Sequence, residues 1–443
     1  MRDALIDLGE MPSDEPGKPE IALPGPPLPY RWILGLLTVV LVALLGGGGP
    51  PPQPRPGPVV LPIALGDRIQ TEGDRLYVVG QAEPVGPVRR TYLIRVYHLP
   101  EVTPLADYRV TVSGDIYTIA GLDDDVLLLG YNDVQTAVPG LLAARPGGGE
   151  PLWRRTANMY GVSPEQDLLL VQEETAPGRA DSRSVWRALD PRTGSVRWSI
   201  EQPPGGHVTM STGSYWTGYP KRFYTVRGDG LVEARDGHTG AATATVRLPR
   251  PPGADFVAWS TGGLLMAGYG TDETIAYDEV TLTERWRRAG PVLPEGGYPQ
   301  DCEPMICLVG MAFQEGLAAL DPATGRGLWH TDEYDSSEAI DGHVLVARIS
   351  QAEPLLAVLE PRTGRTTPVA GSWTSGGPGP EPGTAWVYRH QAVGYALRYG
   401  VLDLTEGTVR VLGRAERIAG DCQFTAQALI CRQLDSSIAI WRL

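Results

Sequence analysis

Lysine and asparagine are nearly missing from this chain. Of its 443 residues only Lys18 and Lys221 are lysine and only Asn132 and Asn158 are asparagine, and phenylalanine occurs four times. Arginine therefore supplies almost all of the 38 basic residues, which face 52 acidic ones for a net charge of −14. Phosphate backbones are held by clustered cations, so an acidic chain without a long basic run is not expected to bind nucleic acid. Catalytic signatures are missing too. There is no phosphate-binding glycine loop ending in Lys-Ser/Thr, no dinucleotide glycine fingerprint before a helix and no Gly-x-Ser-x-Gly elbow. The six histidines (His98, His207, His238, His330, His343 and His390) are scattered without metalloprotease spacing. After residue 58 no long 3.6-residue apolar period occurs, which excludes a helical domain. Glycine (55) and proline (41) are spread along the whole chain, a bias that fits GC-rich coding and carries no functional information.

The first sixty residues read as location. Residues 1–29 are acidic and Pro-rich, with too few apolar groups for a core, and are expected to be a disordered cytoplasmic tail. Trp32 to Leu45 then runs WILGLLTVVLVALL without a charge. With its flanks, 30–49 approaches the ~20 residues that cross a bilayer. Tyr30 and Trp32 suit the interface, and Arg31 sits on the N-terminal flank. A cleaved signal peptide is the rival, but the leading segment is long and acidic and no Ala-x-Ala site follows. The expectation is an uncleaved single-pass anchor, N-terminus in the cytoplasm and the rest outside. Residues 50–58, ending PPPQPRPGP, read as a semi-rigid spacer.

One unit recurs from Val59 onward. An apolar strand ends in a turn of the type Asp-Pro-x-Thr-Gly, and a short strand carrying Trp follows. ALDPRTGSVRW (188–198) and ALDPATGRGLW (319–329) are the clearest copies, and VLEPRTGRTTP (358–368) keeps the turn without the Trp. In this turn Asp bonds back to the chain, Pro presets φ and Gly takes a left-handed conformation. The turn residues are thus Asp190, Gly194, Asp321 and Gly325, and the tryptophans Trp153, Trp198, Trp286 and Trp329 are expected to pack between neighbouring sheets. Clear neighbouring turn glycines, among Gly149, Gly194, Gly240, Gly325, Gly364 and Gly407, are 39 to 46 residues apart. That period, with several short strands per unit, predicts an all-β propeller of four-stranded blades over 59–443. Literal counting gives nine units, the last completed by a strand from 59–65. Eight is the commoner ring and is the size most expected, with nine and seven left open.

Four cysteines form two local pairs, Cys302 with Cys307 and Cys422 with Cys431, each as Asp-Cys followed by Ile-Cys around a hairpin. Even number, local pairing and an expected anchor favour two structural disulfides in an oxidising compartment. Free buried thiols and a metal site are the alternatives, but the spacings are not those of zinc knuckles.

The turn-and-Trp unit resembles the pyrroloquinoline-quinone-type (PQQ-like) repeat, over about residues 60–443. That family includes quinoprotein alcohol dehydrogenases and a non-enzymatic propeller lipoprotein that assists outer-membrane barrel assembly. The resemblance implies a propeller whose motif is a packing device. In its enzyme members it also implies a quinone, a calcium held by acidic and amide side chains, an Asp base and a disulfide between adjacent cysteines. This sequence has no adjacent cysteines and only two asparagines, so neither PQQ nor calcium is expected as a cofactor.

Other clusters have plainer readings. Asp123 to Asp125 could attract calcium, but the reading preferred is a solvated turn. Arg154, Arg155, Arg285, Arg287 and Arg288 beside their tryptophans are expected to be structural, with stacking on neighbouring aromatic rings open to their guanidinium planes. GSWTSGGPGPEPG (371–383) is expected to be a long loop, and Ser211 to Ser214 carries no nucleophile motif. The resulting expectation is a membrane-tethered extracytoplasmic scaffold that binds a protein or cell-envelope partner, with a propeller enzyme as the alternative.

Overall fold

In the computed structural model, the described residues are 57–443 apart from 81–82, 124, 135, 176–181, 212–217, 254–255, 271, 292–297, 311–315, 349–353 and 392–393. The tail at 1–29, the anchor at 30–49 and most of the linker at 50–58 lie outside them. Among the described residues no helix is long and apolar enough to cross a membrane.

The rest is nine antiparallel sheets. Blades 1 to 8 span 68–112, 114–156, 158–201, 207–247, 256–289, 298–331, 336–368 and 374–415. Blade 9 joins three strands within 418–442 to Val59–Leu61, which pairs with Ile438–Arg442 as the outermost strand. Its register sets Val59 opposite Ile440 and Leu61 opposite Ile438. The ring therefore has nine blades, not the eight most expected. The literal count of sequence units held, because even the degenerate units make full blades. Blade 1 carries an extra short strand, Glu83–Val85, on its third strand.

Why the chain closes into a ring follows from its nine buried clusters, each shared by two neighbouring blades. Side chains alternate between the two faces of a strand. In the second strand of blade 2 (Val126–Asp133), Leu127 and Leu129 enter the seam with blade 1, while Val126 and Leu128 enter the seam with blade 3. A strand buried on both faces must be apolar at every position, which is why VLLLG and its counterparts read as unbroken apolar runs. Each Leu or Val so buried contributes about 1.5–3 kcal/mol relative to exposure. The last seam, between blades 9 and 1, places Leu76 and Val78 against Ile430, Ile438 and Ile440.

The first strand of each blade lies innermost, and neighbouring first strands approach one another there. The first hairpin and the Asp-Pro-x-Thr-Gly turn of each blade share one face of the ring, here called the turn face. Residues 57–59 also enter on that face, because Val59–Leu61 runs antiparallel to Ile438–Arg442 and Leu443 bonds to Gln427 in the first hairpin of blade 9.

Candidate functional site

The repeated turn is built as its residues dictate. The Asp190 carboxylate accepts from the amides of Arg192 (3.1 Å) and Thr193 (3.0 Å), and the Gly194 amide donates to the Asp190 carbonyl (2.8 Å). Asp321 and Gly325 repeat this geometry, with the Ala323 amide 2.9 Å from the carboxylate. Gly194 and Gly325 sit at φ +69° and +66°, where a Cβ is disfavoured. A second reason for glycine is packing. A Cβ on Gly194 would lie 2.7 Å from the Trp153 ring, and one on Gly325 2.6 Å from the Trp286 ring.

That contact is the job of the tryptophan. Trp153 of blade 2 lies on the turn glycine of blade 3 and donates its indole N–H to the Pro191 carbonyl (3.0 Å). Trp198 does the same to His238 of blade 4 (2.9 Å), Trp286 to Pro322 of blade 6 (2.9 Å) and Trp329 to Pro361 of blade 7 (2.8 Å). The tryptophans therefore do pack between neighbouring sheets. Each clasps the turn of the next blade while packing against the buried cluster of its seam, and Trp286 is part of that cluster.

Arginines reinforce the clasp in a way the sequence reading missed. Their role is structural, as expected, and runs through hydrogen bonds and ion pairs. Arg155 donates to the Gly194 carbonyl and Arg288 to the Gly325 carbonyl, so the residue two after Trp grips the same turn. Arg197 and Arg285, one before Trp, pair at 2.6 Å with Asp190 and Asp278 of their own blades. The Arg285 guanidinium and the Thr281 amide hold the Asp278 carboxyl far below the usual carboxylate range. Burial alone would raise Asp190, but hydrogen bonds from Thr193 and Arg197 outweigh it and lower it. The Asp-to-Arg-Trp spacing of seven was readable at 190–198 and 278–286.

Both disulfides form as paired from the sequence, Cys302–Cys307 and Cys422–Cys431. Each ties an innermost strand to its neighbour. Cys302 and Cys307 are buried in the seam between blades 6 and 7, and Cys431 in that between blades 8 and 9.

Asp123 and Asp125 are not merely solvated. Arg192 of the next blade bonds both, at 2.9 Å to Asp125 and more closely to Asp123. Residues 371–383 are not one long loop. Thr374–Pro378 is the first strand of blade 8, bent by a bulge, with Gly376 against Phe424. Ser211 follows the first strand of blade 4, His207–Met210, and forms an isolated bridge to Ser260, while the rest of that cluster lies outside the described residues.

Between innermost strands, polar side chains bridge five seams between neighbouring blades. Thr71 meets Gln423 (2.9 Å), Gln70 donates to the Ile119 carbonyl (2.8 Å) and Tyr117 donates to Asn158 (2.8 Å). Ser337 donates to Gln300 (2.9 Å) and Ser375 to Glu338 (2.6 Å). Asn158 thus accepts a hydrogen bond from Tyr117 through its side-chain oxygen.

A family model described as outer membrane protein assembly factor BamB matches residues 106–257 and 228–368, in two overlapping copies. No curated protein sequence matches the chain. Among solved structures, BamB from Moraxella catarrhalis is 14% identical over 74% of this chain and 96% of its own, with a TM-score of 0.36. The designed Ika8 protein is 12% identical over 75% and 98%, with a TM-score of 0.40. The C-terminal WD40 domain of Sif2 is 10% identical over 88% and 98%, with a TM-score of 0.38. The fold assignment rests on the sheet topology, not on these likenesses. With more than half of the sequence inside the family model and the turn-and-Trp clasp at four seams, this chain belongs to the PQQ-like repeat, BamB-type family of β-propellers.

Proposed function

We propose that this protein is a membrane-tethered, extracytoplasmic β-propeller that acts as a binding scaffold for a protein or cell-envelope partner, without catalysis. One observation carries the reading. The residues that recur at four seams are committed to structure, Asp shaping the turn, Gly seating the neighbouring ring and Trp clasping one blade to the next. They make a rigid body whose loops are left for recognition, the usual division of labour between scaffold and site. The family description, an outer membrane protein assembly factor, is consistent with a propeller that serves other envelope proteins by binding them. The single-pass anchor rests on the apolar run 32–45, and a propeller outside the cytoplasm also suits two disulfides.

Two experiments test this. Cysteine-free variants carrying single reporter cysteines at Asp14 and at Glu406 are probed in intact cells with a membrane-impermeant thiol reagent. Labelling at 406 but not at 14 is the expected pattern, and the reverse overturns the topology. Photo-crosslinking from the loops of the full chain in its own membrane is expected to yield discrete adducts with one envelope protein. Dye-linked alcohol oxidation by the full chain supplied with quinone and calcium would overturn the non-catalytic reading.

A further inference from the structure

The third residue of the repeat turn has a second task at two seams. It reaches back to the first hairpin of the preceding blade. In blade 3 the turn is Asp190-Pro191-Arg192-Thr193-Gly194, and Arg192 sits against Asp123 and Asp125 in the first hairpin of blade 2. One planar cation neutralises two carboxylates across the seam.

Blade 4 repeats the arrangement with one change. Its turn is Asp236-Gly237-His238-Thr239-Gly240, so His238 stands where Arg192 stands. The hairpin it faces, in blade 3, again carries two carboxylates, Glu165 and Asp167. The ligand atoms of Glu165, Asp167 and His238 all lie within 4.8 Å of one another. An imidazole, unlike a guanidinium, offers a ring-nitrogen lone pair that a cation can use.

We propose that Glu165, Asp167 and His238 bind a borderline divalent cation of the Zn²⁺ kind. It does for the seam of blades 3 and 4 what Arg192 does for the seam before it. The geometry suits this. His238 Nε2 and Asp167 Oδ2 are 3.5 Å apart, beyond a good hydrogen bond. The edge of a tetrahedron around Zn²⁺ with ligand bonds near 2.0–2.1 Å is about 3.3 Å. One of the ligands is already held, since the Ser163 hydroxyl donates to the Asp167 carboxylate at 2.8 Å, and the turn that carries His238 is fixed by the Trp198 indole, which donates to the His238 backbone carbonyl at 2.9 Å. An imidazole among the donors selects against hard Mg²⁺ and Ca²⁺. Three protein ligands leave the fourth position to water.

The test is calorimetric titration of Zn²⁺ into the full-length, untagged, metal-stripped chain, with thermal unfolding followed alongside. Expected are one saturable equivalent and a midpoint that rises with Zn²⁺, because a cation bound only by the folded state stabilises it. His238→Ala should weaken binding by about tenfold or more. His238→Arg should abolish the Zn²⁺ response while keeping the metal-free midpoint at or above that of the wild type, since the guanidinium takes the cation's place. The proposal is overturned if the wild type shows no saturable binding at millimolar Zn²⁺. It is equally overturned if either variant binds Zn²⁺ as tightly as the wild type. Should His238→Ala fail to fold, His238→Arg decides alone.

Discussion

Two kinds of seam hold this ring together. Four of them, between blades 2 and 3, 3 and 4, 5 and 6, and 6 and 7, are closed by a Trp lying on the next blade's turn glycine. The other five use no common device. Between blades 1 and 2 four tyrosines, Tyr77, Tyr92, Tyr108 and Tyr131, share the buried cluster. Between blades 4 and 5 Val246 stands near the Trp position, and Phe256 packs edge-on to Tyr269. Trp373 is buried between blades 7 and 8, and Trp386 stacks on Phe424 between blades 8 and 9. The last seam is locked from both ends of the chain. Val59–Leu61 completes blade 9, and Arg432 of that blade donates to the Asp67 carbonyl at 2.6 Å. A blade needs a filled apolar seam, but not one particular residue to fill it. The motif can therefore drift at five seams while the ring stays closed.

This difference can be broken by mutation. The largest effect is expected for Trp286→Ala, which empties a site only 8% exposed and leaves Gly325 uncovered. A loss of about 3–5 kcal/mol is expected from denaturant unfolding. Val246→Ala, near the same place in an unclasped seam, removes two half-buried methyl groups and should cost about 1 kcal/mol. Equal losses would end the distinction between the two kinds of seam.

Next in size is the Cys302→Ser, Cys307→Ser double variant. Opening that short loop should lower stability by about 2 kcal/mol, and adding reductant to the wild type, which opens both disulfides, should cost at least as much.

Glycine substitutions sharpen the comparison further. Gly325→Ala meets both left-handed strain and the Trp286 ring. Gly73→Ala, at φ +57° with open space around it, meets strain alone and should cost about 1–2 kcal/mol. The excess of the first over the second measures the clasp.

The smallest effect is on pH dependence. Asp190, Asp236 and Asp278 have carboxyls lowered in the fold. A group lowered in the folded state stabilises it above the ordinary carboxylate pKa, and that contribution is lost as pH falls through the folded value. Stability should therefore decline as the pH drops below about 4. Asp278→Asn should flatten that decline while lowering stability at neutral pH. An unchanged acid limb in the variant would contradict the role given to the Arg285–Asp278 pair.

Much of this was legible along the chain. The nine apolar runs from LYVVG at 76–80 to ALICR at 428–432 all fall in second strands, because a strand buried on both faces leaves an uninterrupted apolar signature. The disulfide partners were legible because each pair flanks one hairpin. Residues 371–383 were not. Their Gly and Pro content reads as loop, yet Thr374–Pro378 is an innermost strand that tolerates a bulge and packs Gly376 under Phe424. The arginine contacts were missed because local sequence shows an Arg beside a Trp, while its acceptor is a carbonyl some 37 to 39 residues further on. The Glu165, Asp167 and His238 group has the same cause, since its members come from two blades.

The sequence by itself determined the local chemistry of the ring. Alternation and unbroken apolar runs specify strands, Asp, Pro and Gly specify the turns, and a period near 40 to 45 specifies the blade, all interactions within a few residues. The tertiary structure alone decided that all nine counted units, the degenerate ones included, close into one ring, and what each seam uses to close. Ring size depends on the angle at which one blade packs on the next, summed around the circle until residues 59–61 meet 438–440. That angle is set by side chains a whole repeat apart.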